Sequence, residues 1–557
     1  MHTPETHDTL VSRIEAAARR SGSITFVNGA AKDQVPWAQL HSEAREVAAV
    51  LQAQGLAPGG HVALLGPTTR ALVTSMQAVW LAGATVVMLP LPMRLASIEE
   101  FVEQRRTRIL RADTEILLID ADLAPFVGDP RPGDPPMLVL QDVVATARSG
   151  AVAVYERPDV RPDDLAVLQF TSGSTSEPKG VMLRHSTVCA NHDAMLTITG
   201  ICGDDVMVSW LPLYHDMGLI GMLAVPMTVG VDLVLASPQD FLADPGRWME
   251  WISNYSGTVT AGPNFSWVLA GRALRRRTDV LDLSRVRIAL NGAEPVDPVT
   301  VREFLDAGAR HGLRAGAPFP AFGMAEVAIG ATFPTPMTGL RTDWVDGRVL
   351  EGESYAAPAQ PTAPGARELV RLGSILPGME LRVVEPGTSN ERGPREVGEL
   401  ELRGTSVTPG YYRDDAATAA LLHDGWLRTG DLAYLVDGEL IICGRIKDVI
   451  IVGGRNVYPQ DIEKVAGEVP GARTGNVIAF GVRGRHGKES LVIVAESRSE
   501  DPDAVRASVS ARVRDVVGLP AKDVVLVAPA SLPKTSSGKL QRVLCRQRYL
   551  AEQLQPV

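Results

Sequence analysis

Leu165-Ala-Val-Leu-Gln-Phe170, followed directly by Thr171-Ser-Gly-Ser-Thr-Ser-Glu-Pro-Lys-Gly180, decides how the rest of the chain is read. The first six residues are an apolar run of strand length, and the next ten are rich in Gly, Ser and Thr. Such a loop lets backbone N–H groups and hydroxyls approach phosphate oxygens, while Lys179 adds a cation. Thr171, Ser172, Gly173, Ser174, Thr175 and Lys179 are therefore candidate polyphosphate ligands. A Walker A loop needs Gly before its Lys and Ser or Thr after it; here Pro178 and Gly180 take those places, which excludes a P-loop NTPase.

Outward from this loop, apolar runs alternate with amphipathic segments. His61 to Leu65, Ala84 to Met88, Asp232 to Leu235, Val286 to Leu290 and Glu399 to Leu402 read as strands, and Ala71 to Ala82 and Pro298 to Ala309 as helices. The pattern predicts an α/β fold. The stretch from Thr342 to Ala366 carries Pro358, Pro361 and Pro364 with little periodicity and reads as an inserted surface segment. After Gly444 a compact pattern begins: strand Asp448 to Val452, helix Pro459 to Glu468, strands Asn476 to Phe480 and Leu491 to Glu496, helix Asp501 to Val517, strand Val524 to Val527. That predicts a large domain over 1–444, with the insertion at about 342–366, and a small α+β domain over 445–557.

The chain has 557 residues and a net charge of −10, which argues against a binder of nucleic-acid phosphates. Its four cysteines lack metal or disulfide spacing and suit a reduced compartment. The most apolar stretch, near Ala78 to Leu91, is interrupted by Gly83 and stops at Pro90, so neither a signal peptide nor a membrane span is expected, and the location read from this is cytoplasmic. The sequons at Asn254 and Asn264 then carry no sugar.

Further motifs follow in order: Trp210-Leu-Pro-Leu-Tyr-His215-Asp-Met-Gly218, Asn291-Gly-Ala-Glu-Pro295, Phe322-Gly-Met-Ala-Glu326, Arg428-Thr-Gly-Asp431, Gly444-Arg-Ile-Lys-Asp448 and Pro533-Lys-Thr-Ser-Ser-Gly-Lys539. Each alone is a weak match, but six in order after the loop at Thr171 resemble the adenylate-forming superfamily of acyl-CoA synthetases, luciferases and adenylation domains over nearly the whole chain. The resemblance implies a large adenylation domain of helix-flanked sheets with a small mobile C-terminal domain. It implies ATP as substrate and Mg²⁺ as the ion, with a carboxylate attacking the α-phosphorus and expelling pyrophosphate.

By the same resemblance, Lys539 bridges carboxylate and α-phosphate, and His215 lies beside the acyl site. Glu326, with Thr171, holds the metal. Gly292, Ala293 and Glu294 form the adenine wall, Phe322, Gly323, Met324 and Ala325 continue the nucleotide site, and Asp431 takes the ribose hydroxyls with Arg445 nearby. Lys447 matches the hinge about which the C-terminal domain turns. The chain departs from the family pattern at Phe322, where Tyr is usual, and at Ser176, where Gly is usual.

Tyr214-His-Asp-Met-Gly-Leu-Ile-Gly221, Gly454-Arg-Asn-Val-Tyr-Pro-Gln-Asp-Ile-Glu463 and the insertion resemble the fatty acyl-AMP ligase branch. That branch implies a fatty acid substrate and a separate acyl carrier protein as acceptor; the alternative is a fatty acyl-CoA ligase, with the insertion a tolerated surface loop. Amino-acid adenylation needs an acidic partner for the ammonium, for which Asp216 is the one nearby candidate, and the apolar run Met217 to Val225 fits an alkyl chain better. The basic cluster Arg275-Arg-Arg277 is a candidate docking point for an acidic carrier, or else a solvated helix end.

Overall fold

The computed structural model describes residues 8–29, 31–91, 98–127, 131–150, 154–171, 178–452, 455–483, 489–535 and 539–557. Two sheets carry the first part of the chain. One has six strands, in the order Met137–Val139, Thr114–Ile119, His61–Leu65, Thr85–Met88, Leu165–Phe170 and Gly180–Arg184, parallel except for the last pair. The other has seven, with Pro318–Pro320, Ile288–Asn291, Val259–Gly262, Val206–Ser209 and Asp232–Ala236 in parallel beside the hairpin of Ser23–Asn28 and Ala31–Pro36. Strands such as His61–Leu65 and Thr85–Met88 are buried along their whole length, as parallel strands covered on both faces must be. The α/β class expected from the alternation is thus observed.

A mainly antiparallel sheet follows, built on Met379–Val384, Gly398–Gly404, Trp426–Val436 and Glu439–Arg445. Beyond it a three-stranded sheet of Ala472–Arg483, Glu489–Ser497 and Ala521–Val527 packs with the helices Pro459–Gly467, Pro502–Val517 and Arg542–Leu550. Its apolar side chains form two clusters of their own, one around Ile493, Val509 and Leu526 and one around Phe480, Val492 and Cys545. All four cysteines are unpaired; Cys189, Cys443 and Cys545 are buried and Cys202 is exposed. Among the described residues no helix is long and apolar enough to cross a membrane.

Three expectations are corrected. The strand expected at Val286 to Leu290 runs instead from Ile288 to Asn291, because Val286 N–H is spent on a turn to Leu283 O. The strand expected from Asp448 begins at Ile450, since Asp448 and Val449 both donate to Arg445 O.

The third correction concerns the insertion, which carries regular structure at both ends although residues such as Pro361, Thr362 and Pro364 are exposed as expected. Thr342–Asp346 pairs antiparallel with Ala366–Val370, and Asp346 caps the helix Gly347–Glu353 by accepting from Arg348 N at 2.8 Å. Val345, Leu350 and Ala356 are fully buried against Leu432, Tyr434, Ile441 and Tyr458. Ion pairs then join this unit to the C-terminal part: Glu351 to Arg455 at 2.5 Å and Arg367 to Asp461 at 2.6 Å, with the Arg367 guanidinium 4.9 Å from the Tyr458 ring centre.

Candidate active site

The loop opened by Thr171 is closed at its neck. Strands Leu165–Phe170 and Gly180–Arg184 pair as a hairpin, and Thr171 N donates to Lys179 O at 3.0 Å, so Thr171 and Lys179 stand side by side. Ser172, Gly173, Ser174, Thr175 and Ser176 lie outside the described residues. The segment Thr408 to Tyr412 ties this neck to Glu326. Met182 N donates to Gly410 O, Tyr412 N to Gly180 O and Thr408 N to Glu326 O, while Tyr411 Oη donates to Glu326 Oε1 at 2.8 Å. Lys179 Nζ sits 4.8 Å from the centre of the Tyr411 ring.

Tyr411 was not among the residues singled out from sequence. A tyrosine after Pro409-Gly410 reads as ordinary core, and its hydrogen bond to Glu326 spans 85 residues. Burial pushes the Glu326 carboxyl above its usual range, although Tyr411 pulls it back. The next turn is strained. Ala328 has φ 65° and ψ −59°, and Ile329 N bonds to Val327 O, which is a tight γ-turn on a non-glycine residue. Gly323 permits the close approach beside it, since a Cβ there would stand 1.7 Å from Ile329 O.

The motif Asn291 to Pro295 follows a parallel strand directly, at the end where such sheets place their ligands. Ala293 takes φ 69°, and Glu294 accepts a hydrogen bond from Asn264 N at 2.8 Å. Gly292 faces Ala321 O closely enough that a Cβ would lie 3.0 Å away. Asp431 is 3 % exposed, paired across its hairpin with Arg445, whose Nε donates to Oδ1 at 2.8 Å. Burial raises this carboxyl as well, against the pull of Arg445 and Lys447. Lys447 itself is exposed, in the turn just after strand Glu439–Arg445.

His215 Nδ1 lies 2.6 Å from Asp216 Oδ1, and Asp216 caps a π-helix of eight residues, Met217–Ala224, whose side chains are apolar and buried. Gly218 is required there, because a Cβ would stand 2.2 Å from Pro212 O. Lys539, from the far end of the chain, reaches this same place. Burial lowers its pKa, while the charges of Asp216, Glu294 and Asp431 raise it and that of Arg445 lowers it. Burial pushes Asp216 up, but His215 and Lys539 together bring it below its usual value. Side chains from five separate motifs therefore share one electrostatic neighbourhood.

A family model described as "AMP-binding enzyme" matches residues 14–412. The chain belongs to the AMP-binding enzyme family. A Mycobacterium tuberculosis protein named provisionally as a ligase is 38% identical, covering 91% of this chain and 93% of its own. A Caulobacter vibrioides protein provisionally named an acyl-CoA synthetase is 34% identical, covering 98% and 95%. A medium-chain-fatty-acid–[acyl-carrier-protein] ligase of Moorena producens is 36% identical, covering 74% and 72%. A solved structure from a study of fatty acyl-adenylate ligases of E. coli and L. pneumophila superposes with a TM-score of 0.90 at 30% identity, over 98% of both chains.

Among the described residues no cluster of three or more His, Cys, Asp or Glu side chains could hold an ion. The one buried carboxylate of Glu326, near the neck at Thr171 and Lys179, is a donor set that would suit Mg²⁺, an ion that keeps its waters and commonly binds through substrate phosphates. The basic run Arg275 to Arg277 is not part of this site. It ends the helix Asn264–Arg276, where cations suit the dipole, and Arg277 pairs with Glu250 and Asp279 while Arg275 pairs with Glu303. The run is thus a helix end, one of the two readings the sequence left open.

Proposed function

We propose that this AMP-binding enzyme activates a fatty acid as its acyl adenylate and then passes the acyl group to the phosphopantetheine thiol of an acyl carrier protein. The observation that carries the reading is the convergence of Lys539 on Asp216, Glu294 and Asp431, which brings the C-terminal lysine among the acyl-side and nucleotide-side residues at once. In the first step a carboxylate oxygen bonds to the α-phosphorus while the bond to pyrophosphate breaks. Lys539 holds both anions as charge builds between them. Asp431 takes the ribose, Gly292, Ala293 and Glu294 flank the adenine with Phe322 to Ala325, and Thr171 and Lys179 hold the phosphate chain. Glu326 and Thr171 are the residues that would hold Mg²⁺, which when bound would offset phosphate charge.

Two features favour an alkyl chain over an amino acid. Asp216 already has the His215 ring at 2.6 Å and the charge of Lys539 acting on it, so it is not waiting for a substrate ammonium, and the π-helix Met217–Ala224 offers only apolar side chains. In the second step the segment 445–557 turns about Lys447, the thiol attacks the acyl carbon and AMP leaves. The ion pairs Glu351–Arg455 and Arg367–Asp461 limit that turn and so support a carrier arm over coenzyme A. The four free thiols fit a reducing compartment, and we place the enzyme in the cytoplasm.

ATP–pyrophosphate exchange across a panel of fatty acids tests the first step. Offering coenzyme A and a phosphopantetheinylated carrier side by side, with products read by mass spectrometry, tests the second. No exchange with any acid overturns the reading, and efficient acyl-CoA formation replaces the acceptor.

A further inference from the structure

Lys539 reaches the centre from a segment whose backbone is held at its neck. Thr535 N donates to Lys539 O at 2.8 Å, Lys539 N donates to Thr535 Oγ1 at 3.0 Å, and Gln541 N donates to Pro533 O at 3.0 Å. Leu532 is buried with Phe480, Val492 and Cys545, and Leu540 borders that cluster. These contacts join the two arms of the segment to each other and to the C-terminal layer. The outgoing arm then runs into Arg542, three residues past Lys539 and the first residue of the helix Arg542–Leu550.

Arg542 is an unusual residue to open a helix, because a cation in the first turn opposes the helix dipole. Its guanidinium meets two carboxylates instead. Nε and Nη2 donate to Glu463 Oε1 and Oε2 at 2.7 and 2.6 Å, and Nη1 donates to Asp448 Oδ2 at 3.1 Å. The grip on Glu463 is bidentate, a geometry that lysine cannot reproduce. Burial works to lower the Arg542 pKa, but Glu463 and Asp448 outweigh it and hold the guanidinium above its usual range. Glu463 belongs to the helix Pro459–Gly467, and its Oε1 also accepts from Ala479 N at 3.1 Å, on the strand Ala472–Arg483. Asp448 stands one residue past Lys447, where its own N–H bonds to Arg445 O. One guanidinium thus joins the turn that opens the C-terminal part, the first helix of that part and the exit of the Lys539 segment.

We propose that Arg542 is the positioning residue for Lys539: by tying the helix after Lys539 to Asp448 and Glu463, it sets where the ammonium stands among Asp216, Glu294 and Asp431. It acts through Lys539 and not on substrate, so the inference rests on the adenylation role proposed for Lys539 above. A lysine that must meet two anions at once has little tolerance, and misplacing such a group by about 1 Å costs on the order of 10²-fold in rate.

The test is a double-mutant cycle on the full chain, read by ATP–pyrophosphate exchange. Arg542→Gln is expected to lower kcat about tenfold or more with KM for ATP within about twofold, and Arg542→Lys to recover part of the loss by keeping the charge without the fork. In a Lys539→Ala background Arg542→Gln is expected to cost no more than about a further twofold, because a group that acts through Lys539 then has nothing to act on. Equal losses in the two backgrounds overturn the proposal, as does a folded Arg542→Gln variant within about twofold of the parent while Lys539→Ala has lost exchange. Parent-like exchange by Lys539→Ala would instead remove the adenylation role of Lys539, and the positioning role with it. Hydrogen exchange read by mass spectrometry gives an answer without turnover: in Arg542→Gln, and more weakly in Asp448→Asn, amides around Lys539 are expected to exchange faster while those of strands Ala472–Arg483 and Glu489–Ser497 stay as in the parent. Faster exchange spread evenly over the C-terminal layer would overturn the proposal.

Discussion

Burial lifts the Glu326 carboxyl above its usual range despite the Tyr411 hydroxyl, and that has a sign in pH. The stability tied to this proton is full below the ordinary carboxylate value and is lost as pH rises through the raised one, so near neutrality the folded protein carries an unfavourable buried charge. Glu326→Gln is expected to raise Tm at about pH 8, with the gain shrinking toward about pH 4, while exchange activity falls. Equal Tm values across that range, read by scanning calorimetry, would count against a buried charge. Lys539 works in the opposite sense. Burial lowers its pKa, so activity is expected to decline on the alkaline side before an ordinary lysine would titrate. Lys539→Ala is expected to cost about 10²- to 10³-fold in adenylate formation, roughly 2.7–4 kcal/mol, with ATP affinity little changed.

At this scale Lys539, Glu326, Asp431 and His215 stand out as candidates in the sequence because each sits in a short motif with fixed neighbours. Tyr411 does not, since what marks it is a contact across the fold.

Among elements, the hairpin neck at Thr171 and Lys179 is tied to Glu326 through Thr408 to Tyr412. Lys447 lies in the turn that follows strand Glu439–Arg445. Lys447→Pro, which fixes φ there, is expected to leave exchange within about twofold and to slow acyl transfer at least about tenfold. Assaying the half-reactions separately decides it, and equal loss in both would remove the hinge.

The insertion is the complementary element. Replacing the Arg367–Asp461 pair by Arg367→Met with Asp461→Leu exchanges a buried ion pair for apolar contacts at little cost in stability. Mass spectrometry of products is then expected to show more acyl-CoA relative to acyl carrier. An unchanged ratio would free the clasp of any part in acceptor choice. Its order was hidden in the sequence because three prolines masked two strands of five residues each, although Asp346 before Gly347 is a readable helix cap.

For the whole molecule, strand content was legible because parallel strands covered on both faces are unbroken apolar runs, as at His61–Leu65 and Leu165–Phe170. Sheet order was not, since pairs such as Val86 with Val167 join distant stretches. The separate cores of the C-terminal part predict that its amides exchange faster than those of the central sheets in free protein. Bound acyl adenylate is expected to slow exchange around Lys539 most, and a uniform rate by mass spectrometry would argue for one cooperative unit.

The distribution of thiols turns this into a counting experiment. Cys202 is exposed, whereas Cys189, Cys443 and Cys545 are buried, their thiols pushed up to about 12. Each buried sulfur belongs to a different cluster: Cys189 to the main core, Cys443 to the junction with the insertion, Cys545 to the C-terminal layer. The chain thus carries a built-in unfolding clock. A brief pulse of alkylating reagent stamps one mass increment on the native protein and a second, third and fourth as each compartment opens, and the order of stamps names the compartment that yields first.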